Sequence, residues 1–231
     1  MTILAIIFDV DGTLADTEEA HRLSFNKAFA DHDLDWHWDV ALYDRLLAVT
    51  GGKERIKRFV EQYRPDFVKP ADYDDFIKRL HQSKTGYYTA MLADGLIPLR
   101  PGVRRLIDEA GAAGLKLAIA TTTSPENVSA LLEIGLGKDW NKRFASIGCG
   151  DIVAHKKPAP DIYHWVLNDL GLTAADCIAL EDSSNGLQAS LAAGIRTYIT
   201  VNPYTRHQDF SGAAAVFEDL ATVSLERLVG G

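Results

Sequence analysis

Near the start of the chain stands the stretch ILAIIFDVDGT, residues 3–13, in which six apolar residues lead into two aspartates and a glycine. A short apolar run rich in isoleucine is typical of a strand that is buried on both faces of a parallel sheet. Gly12 allows the backbone to turn sharply directly after the aspartates. The stretch therefore predicts a strand that delivers Asp9 and Asp11 to the edge of a sheet, where α/β folds bind their ligands.

Five further apolar runs share the features of this first one, and segments of helical period separate them. Together with residues 3–8, the predicted strands are residues 115–120, 145–149, 177–180, 197–201 and 214–217. The predicted helices are residues 103–113, 126–134, 161–170 and 186–193, and glycines stand where three of them should end. This alternation predicts a doubly wound, parallel, Rossmann-like α/β sheet with right-handed crossovers.

Residues 16–93 interrupt the alternation. Four segments of helical period, residues 17–31, 40–49, 53–63 and 71–91, follow one another there without a strand between them. We therefore predict a small all-helical domain at residues 16–93, inserted after the first strand. The α/β core then consists of residues 1–15 and 94–231.

Composition narrows the class of protein. An apolar share of 47% and a charged share of 24% are ordinary for a globular protein, and a net charge of −8 argues against a nucleic-acid surface. The chain has no run of about 20 apolar residues, so we expect no membrane span. No basic segment precedes the first apolar run, which argues against a secretory signal.

These features, with two cysteines expected to be free thiols, predict a bacterial-type cytoplasmic location. We also expect a monomer. A disulfide between Cys149 and Cys177 stays open, and a plastid location would need a transit peptide outside this sequence.

Polar side chains follow four of the predicted strands or the loops beyond them. They are Asp9 and Asp11, then Thr121, Thr122 and Thr123, then Lys157, and finally Glu181 and Asp182. Because the carboxyl ends of parallel strands meet at one edge of a sheet, we expect these side chains to lie together. Clustered carboxylates repel one another unless a cation joins them, and oxygen ligands without sulfur or imidazole suit Mg²⁺.

This combination of groups predicts a magnesium-dependent phosphate-ester hydrolase. Asp9 can attack phosphorus in line, while Asp11 protonates the leaving oxygen and later takes a proton from the hydrolytic water. Thr121 and Lys157 can supply hydrogen-bond donors and positive charge to the transferred phosphoryl group.

Four ordered motifs make the chain resemble the haloacid dehalogenase superfamily over its full length. They are DVDGT at residues 9–13, the strand that ends at Thr121, KPAPD at residues 157–161 and EDSSNG at residues 181–186. The resemblance implies that Asp9 is the phosphorylated nucleophile and Asp11 the acid/base. It also implies that Asp9, the Asp11 carbonyl and Asp182 bind Mg²⁺, with Glu181 in or next to that shell. The helical insert would be the family's cap domain.

Local segments resemble one branch of that superfamily. The pattern DTExxH at residues 16–21 is similar to the β-phosphoglucomutase-like branch. Residues 36–39, 50–56, 99–102, 120–124 and 204–207 look like the CbbY-like members of that branch. Those members dephosphorylate xylulose-1,5-bisphosphate, an inhibitor of Rubisco. The resemblance implies a small phosphorylated sugar as the binding partner, with removal of the phosphate at C1.

A bisphosphate needs a second anion site, and the predicted cap offers one. Gly51 and Gly52 precede Lys53 and Arg55 at a predicted helix start, where free N–H groups and the helix dipole favour an anion. A basic, solvated helix face is the alternative for Lys53 and Arg55.

Three more cap residues are candidates for contact with the sugar. Glu18 and His21 could bind hydroxyl groups or steer the acid/base, although His21 could also merely pack at a hinge. Tyr43 could line the same cleft or belong to the cap core.

Other activities share parts of this pattern. A β-phosphoglucomutase-like mutase or a broader sugar-phosphate phosphatase would use the same nucleophile, acid/base and metal. Asp11 counts against a dehalogenase and against a phosphonate-cleaving relative, since neither would use an aspartate at that position. The long insert counts against a response-regulator receiver domain. A sugar-phosphate sensor without catalysis would have no obvious reason to keep both aspartates, the threonine and the lysine.

Overall fold

The structure of the protein is a computed structural model that describes residues 2–95 and 97–230. Met1, Leu96 and Gly231, which the prediction assigned to the α/β core, lie outside the described residues. The strands are β1 (Ala5–Phe8), β2 (Lys116–Ala120), β3 (Ser146–Gly148), β4 (Cys177–Glu181), β5 (Arg196–Thr200) and β6 (Ala215–Phe217). They form one parallel sheet in the order β3-β2-β1-β4-β5-β6, which confirms the predicted doubly wound fold.

The helices confirm the predicted alternation and the predicted helical insert. Between β1 and β2 lie α1 (Glu18–Asp31), α2 (Val40–Leu46), α3 (Gly52–Tyr63), α4 (Tyr73–Ala93) and α5 (Val103–Ala112). The later helices are α6 (Pro125–Leu136), α7 (Asp161–Leu170), α8 (Ser184–Ala192) and α9 (Leu225–Val229). The helix predicted at residues 40–49 is three residues shorter, because the chain turns before Gly51, whose φ is +97°.

The sheet is buried on both faces, which explains why its strands are apolar without alternation. Successive side chains of β1 point to opposite faces of the sheet. Ile6 and Phe8 join the larger apolar cluster on one face, and Ala5 and Ile7 join the cluster on the other. All four are fully buried, so β1 lies at the centre of the core and its carboxyl end is held rigidly.

The helical insert has an apolar cluster of its own. Trp36 and Trp38 pack edge-on against Phe29, with ring centroids 5.4 and 4.9 Å away, and the cluster draws on all four helices α1–α4. The two tryptophans therefore stabilise the insert. We propose residues 16–93 as the cap domain on the strength of this separate cluster, although Tyr88 and Leu92 near the end of α4 pack into the core cluster.

Cys149 and Cys177 are both free thiols, as predicted. Over residues 2–95 and 97–230, no helix has the length and apolar character required to cross a membrane.

One buried arginine joins the parts of the chain that surround the carboxyl edge of the sheet. Arg100 donates hydrogen bonds to the backbone carbonyls of Gly12, Thr200, Val201 (2.5 Å) and Glu218 (2.8 Å). Its side chain thus connects the turn after β1 to the ends of β5 and β6. A guanidinium suits this place because its donors spread in one plane and can satisfy several acceptors at once.

We expect Arg100→Leu to lower the free energy of unfolding by at least about 3 kcal/mol, since each buried acceptor left without a donor costs about 1–3 kcal/mol. Urea denaturation measures this change. Arg79→Leu is the matched control, because Arg79 pairs with Asp72 at the protein surface and should change stability little. Equal losses in the two variants would contradict the role assigned to Arg100.

Candidate active site

A single lysine joins three strands at the carboxyl edge of the sheet. The Lys157 ammonium donates to Asp9 Oδ1 (2.7 Å), to Glu181 Oε1 (2.5 Å) and to the Ala120 carbonyl (2.8 Å). These acceptors belong to the ends of β1, β4 and β2, and all three donors of the ammonium group are used. Lys157 therefore fixes the position of the Asp9 carboxylate relative to the sheet.

The carboxylates around Lys157 outnumber it. Burial raises the pKa of Asp9 to about 8. The charge of Lys157 lowers this pKa and the charge of Glu181 raises it further. Burial, with Asp9 and Glu181 nearby, also raises the pKa of Asp182 well above its ordinary value. Burial alone would lower the pKa of Lys157, but the charges of Asp9 and Glu181 raise it. With all three carboxylates ionised, the site would hold more negative charge than its lysine can balance.

The same carboxylates could hold a metal ion. Asp9, Glu181 and Asp182 are buried, and each offers an oxygen within 4.8 Å of the others. A divalent cation there would balance the surplus negative charge, and a set made only of carboxylates suits a hard cation. The donor set therefore fits the predicted metal, and the predicted use of the Asp11 carbonyl as a further ligand stays a prediction.

Two side chains that the sequence reasoning missed hold these carboxylates. The Tyr163 hydroxyl donates to Glu181 Oε1 (2.5 Å), and the Asn202 amide donates to Asp182 Oδ2 (2.7 Å). Asn202 follows β5 by two residues, so the rule that polar side chains after strands form the site could have found it. Tyr163 gave no such signal, because it lies within the apolar pattern of α7.

The Asp11 carboxylate points toward the helical insert and makes no hydrogen bond to Lys157. Its Oδ1 accepts hydrogen bonds from Thr17 (2.7 Å) and from His21 Nε2 (2.9 Å). Lys84, which sequence reasoning also missed, lies 2.6 Å from the other ring nitrogen of His21, and Tyr88 stacks on that ring. Burial would raise the pKa of Asp11, but His21 and Thr17 outweigh it and hold the pKa well below its usual range.

A cleft of about 760 Å³ lies between the carboxyl edge of the sheet and the helical insert. The predicted site residues that line it are Asp9, Asp11, Glu18, His21, Gly51, Gly52, Lys53, Arg55, Thr121, Thr122, Thr123, Lys157 and Asp182. Most of the predicted set is thus brought together in one cavity.

Two predicted site residues lie behind the walls of the cleft. Glu181 is fully buried and reaches the site through Lys157 and Tyr163. Tyr43 is also fully buried, and its hydroxyl donates to Glu18 (2.7 Å) and accepts from Arg55 (2.9 Å). Tyr43 therefore acts on the cleft by orienting two residues that line it.

Both basic residues predicted for the second anion site reach the cleft. The Lys53 ammonium pairs with Asp151, which belongs to the loop after β3 and also pairs with Lys156 (2.9 Å). Arg55 is nine-tenths buried, and its Nε has no hydrogen-bond partner among the described residues. That Nε atom is itself buried, so Arg55 offers the cleft the positive charge of its guanidinium.

The chain resembles known proteins in both sequence and fold. The model of the haloacid dehalogenase-like hydrolase family matches residues 3–194. The chain is 52% identical over 216 residues to the protein CbbY (plasmid) of Cupriavidus necator, covering 94% of this chain and 85% of that protein.

Two crystal structures of CbbY from Rhodobacter sphaeroides share the fold and 46% of the sequence. Each superposes with a TM-score of 0.92 and covers 98% of this chain and 99% of the other. One contains phosphate, and the other, an aspartate-to-asparagine variant, contains xylulose-1,5-bisphosphate. The chain therefore belongs to the haloacid dehalogenase-like hydrolases and, within them, to the CbbY family.

Proposed function

We propose that the protein is a Mg²⁺-dependent phosphatase that removes the C1 phosphate of xylulose-1,5-bisphosphate through an aspartyl-phosphate intermediate. The observation that carries the proposal is the position of Asp9, which lines the cleft, accepts a hydrogen bond from Lys157 and belongs to the acidic group formed by Asp9, Glu181 and Asp182. The bisphosphate in the crystal structure of the similar CbbY from Rhodobacter sphaeroides supports the choice of substrate.

In the first step, a carboxylate oxygen of Asp9 forms a bond to phosphorus, and the bond from phosphorus to the C1 oxygen breaks. Asp11 must be protonated for this step, against the contacts with Thr17 and His21 that favour its ionised form, and it then gives that proton to the leaving oxygen, so the sugar departs as an alcohol. Lys157 keeps the Asp9 carboxylate in place and supplies positive charge near the phosphoryl oxygens. The Thr121 hydroxyl would donate a hydrogen bond to one of those oxygens. Mg²⁺, when bound by the acidic group, would neutralise charge on the transferred phosphoryl group.

In the second step, water attacks the phosphorus of the aspartyl phosphate. Asp11, now ionised, takes a proton from that water, and the bond from phosphorus to Asp9 breaks. The products are inorganic phosphate and the regenerated carboxylate. The hydrogen bonds from Thr17 and His21 keep the ionised Asp11 in the position where this step needs it.

The C5 phosphate would bind at the mouth of the cleft. Arg55 and Lys53 line the cleft with positive charge, and Lys53 stands at the start of α3, whose first N–H groups also favour an anion. Lys53 would exchange its partner Asp151 for the phosphate, or share both. Glu18 and His21, with Thr122 and Thr123 opposite, would contact the sugar between the two phosphates.

We expect Asp9→Asn to lower phosphate release by about 10⁴-fold or more, because the amide has no charged oxygen to attack phosphorus. A panel of sugar mono- and bisphosphates, with and without Mg²⁺, measures the effect. Xylulose-1,5-bisphosphate should be the best substrate, and chelation of Mg²⁺ should stop the reaction. Asp108→Asn is the control, since Asp108 pairs with Arg143 at the surface and should keep full activity.

Full turnover by Asp9→Asn would exclude the covalent mechanism. Isomerisation of a sugar monophosphate without phosphate release would instead favour the mutase. Equal rates with all substrates would favour a broad sugar-phosphate phosphatase.

We expect Lys53→Met to raise the KM for xylulose-1,5-bisphosphate about 10-fold with little change in kcat, because it removes about 1.4 kcal/mol of binding to a group that does not react. The KM for xylulose 1-phosphate, which lacks the distal phosphate, should not change. Lys57→Met is the control, as Lys57 lies one turn further along α3 and pairs with Asp74. Equal effects on the two substrates would contradict this distal site.

A further inference from the structure

We propose that Asn202 is a positioning residue that orients Asp182 for binding the metal ion. The proposal rests on the proposed function in one respect, since it takes Asp182 as a ligand of the Mg²⁺ that the reaction uses. Asn202 itself does not contact the substrate. It acts through one carboxylate oxygen of Asp182.

The contact joins the ends of two neighbouring strands. Asp182 follows β4 directly, and Asn202 lies two residues beyond β5. The Asn202 amide Nδ2 donates to Asp182 Oδ2 at 2.7 Å. Only 5% of Asp182 and 3% of Asn202 is exposed, so water cannot readily replace this hydrogen bond.

The local backbone decides which end of the Asn202 amide faces Asp182. Asn202 Oδ1 accepts a hydrogen bond from the Tyr204 N–H at 2.9 Å, in a turn that asparagine commonly forms two residues ahead of the donor. Because the oxygen is used by the turn, the NH₂ end must point the other way, toward Asp182. The donor role of Asn202 therefore follows from the chain itself.

The turn after β1 packs directly against the two atoms that form this hydrogen bond. Gly12 has φ +82°, and a Cβ built on it would stand 2.1 Å from Asp182 Oδ2 and 2.7 Å from Asn202 Nδ2. Both atoms thus lie directly over the Gly12 backbone. Arg100 in turn holds the Gly12 carbonyl and the carbonyl of Val201, the residue before Asn202.

This arrangement fixes the rotation of the Asp182 carboxylate. With Oδ2 held between Gly12 and Asn202, the other oxygen stays available to the cation shared with Asp9 and Glu181. A carboxylate held in this way loses less rotational freedom when it binds metal. Removal of hydrogen-bond partners of this kind costs about 10–100-fold in metal affinity in metalloproteins.

Two variants distinguish the hydrogen bond to Asp182 from the hydrogen bond that Asn202 makes to the Tyr204 N–H. In Asn202→Ser, the hydroxyl can still accept from the Tyr204 N–H, but it is too short to reach Asp182. Asn202→Ala removes both interactions. Thr205→Val is the matched control, because the Thr205 hydroxyl accepts from the Asn202 N–H in the same loop without contacting Asp182.

Calorimetric titration with Mg²⁺ in the absence of substrate measures the effect. We expect Asn202→Ser and Asn202→Ala to raise the Kd for Mg²⁺ about 10-fold or more, and Thr205→Val to leave it within about 2-fold. Thermal unfolding in EDTA should show that Asn202→Ser still folds cooperatively, with a Tm below that of the wild type because the buried Asp182 Oδ2 loses its donor. Saturating Mg²⁺ should restore the kcat of Asn202→Ser.

An unchanged Kd in Asn202→Ser would overturn the proposal, as would equal weakening by Thr205→Val, which would assign the effect to the loop as a whole. If Asn202→Ala does not fold, the comparison of Asn202→Ser with Thr205→Val decides the question. The proposed function has a separate outcome. Wild-type protein that binds Mg²⁺ but releases no phosphate from any substrate would refute the phosphatase, while the Kd values would still test Asn202.

Discussion

The Lys157 ammonium is the group on which the arrangement of the site depends. It is buried, and its three hydrogen bonds reach Asp9, Glu181 and the Ala120 carbonyl, so it connects the central strand to both of its neighbours. A buried ammonium is stable only with such partners, and the carboxylates in turn are stable only beside a cation. The site therefore forms as a unit, in which loss of one charge leaves another buried and unpaired.

The surplus of negative charge connects this structure to its chemistry. Burial, with three carboxylates close together, raises the pKa of Asp9 and of Asp182, and the same carboxylates make a place for a divalent cation. Asp11 stands apart from that group and is bound by Thr17 and His21 of the helical insert. The proposed nucleophile, Asp9, thus belongs to the sheet, while the proposed acid/base, Asp11, is held by the insert, and closure of the cleft would bring both to one substrate.

Much of this could be predicted from the sequence because strands and motifs are local signals. The six strands appeared within one or two residues of the predicted bounds, and polar residues at their ends indicated the site. Contacts that depend on the third dimension were harder to predict. Lys84 lies on a helix 63 residues away from His21 and contacts it, and Tyr163 reaches Glu181 from inside an apolar helix face. Tyr43 looked like a candidate for the cleft but lies behind it, since aromatic residues give the same pattern in a core and at a surface.

The covalent step on Asp9 can be observed directly. Wild-type protein is mixed with xylulose-1,5-bisphosphate and Mg²⁺, quenched during turnover, and treated with borohydride, which reduces an acyl phosphate to the alcohol. Peptide mass spectrometry then locates the reduced residue. The mechanism predicts homoserine at position 9, dependent on both substrate and Mg²⁺. Turnover under the same conditions with Asp9 unmodified, or with the reduced residue at another aspartate, would contradict it.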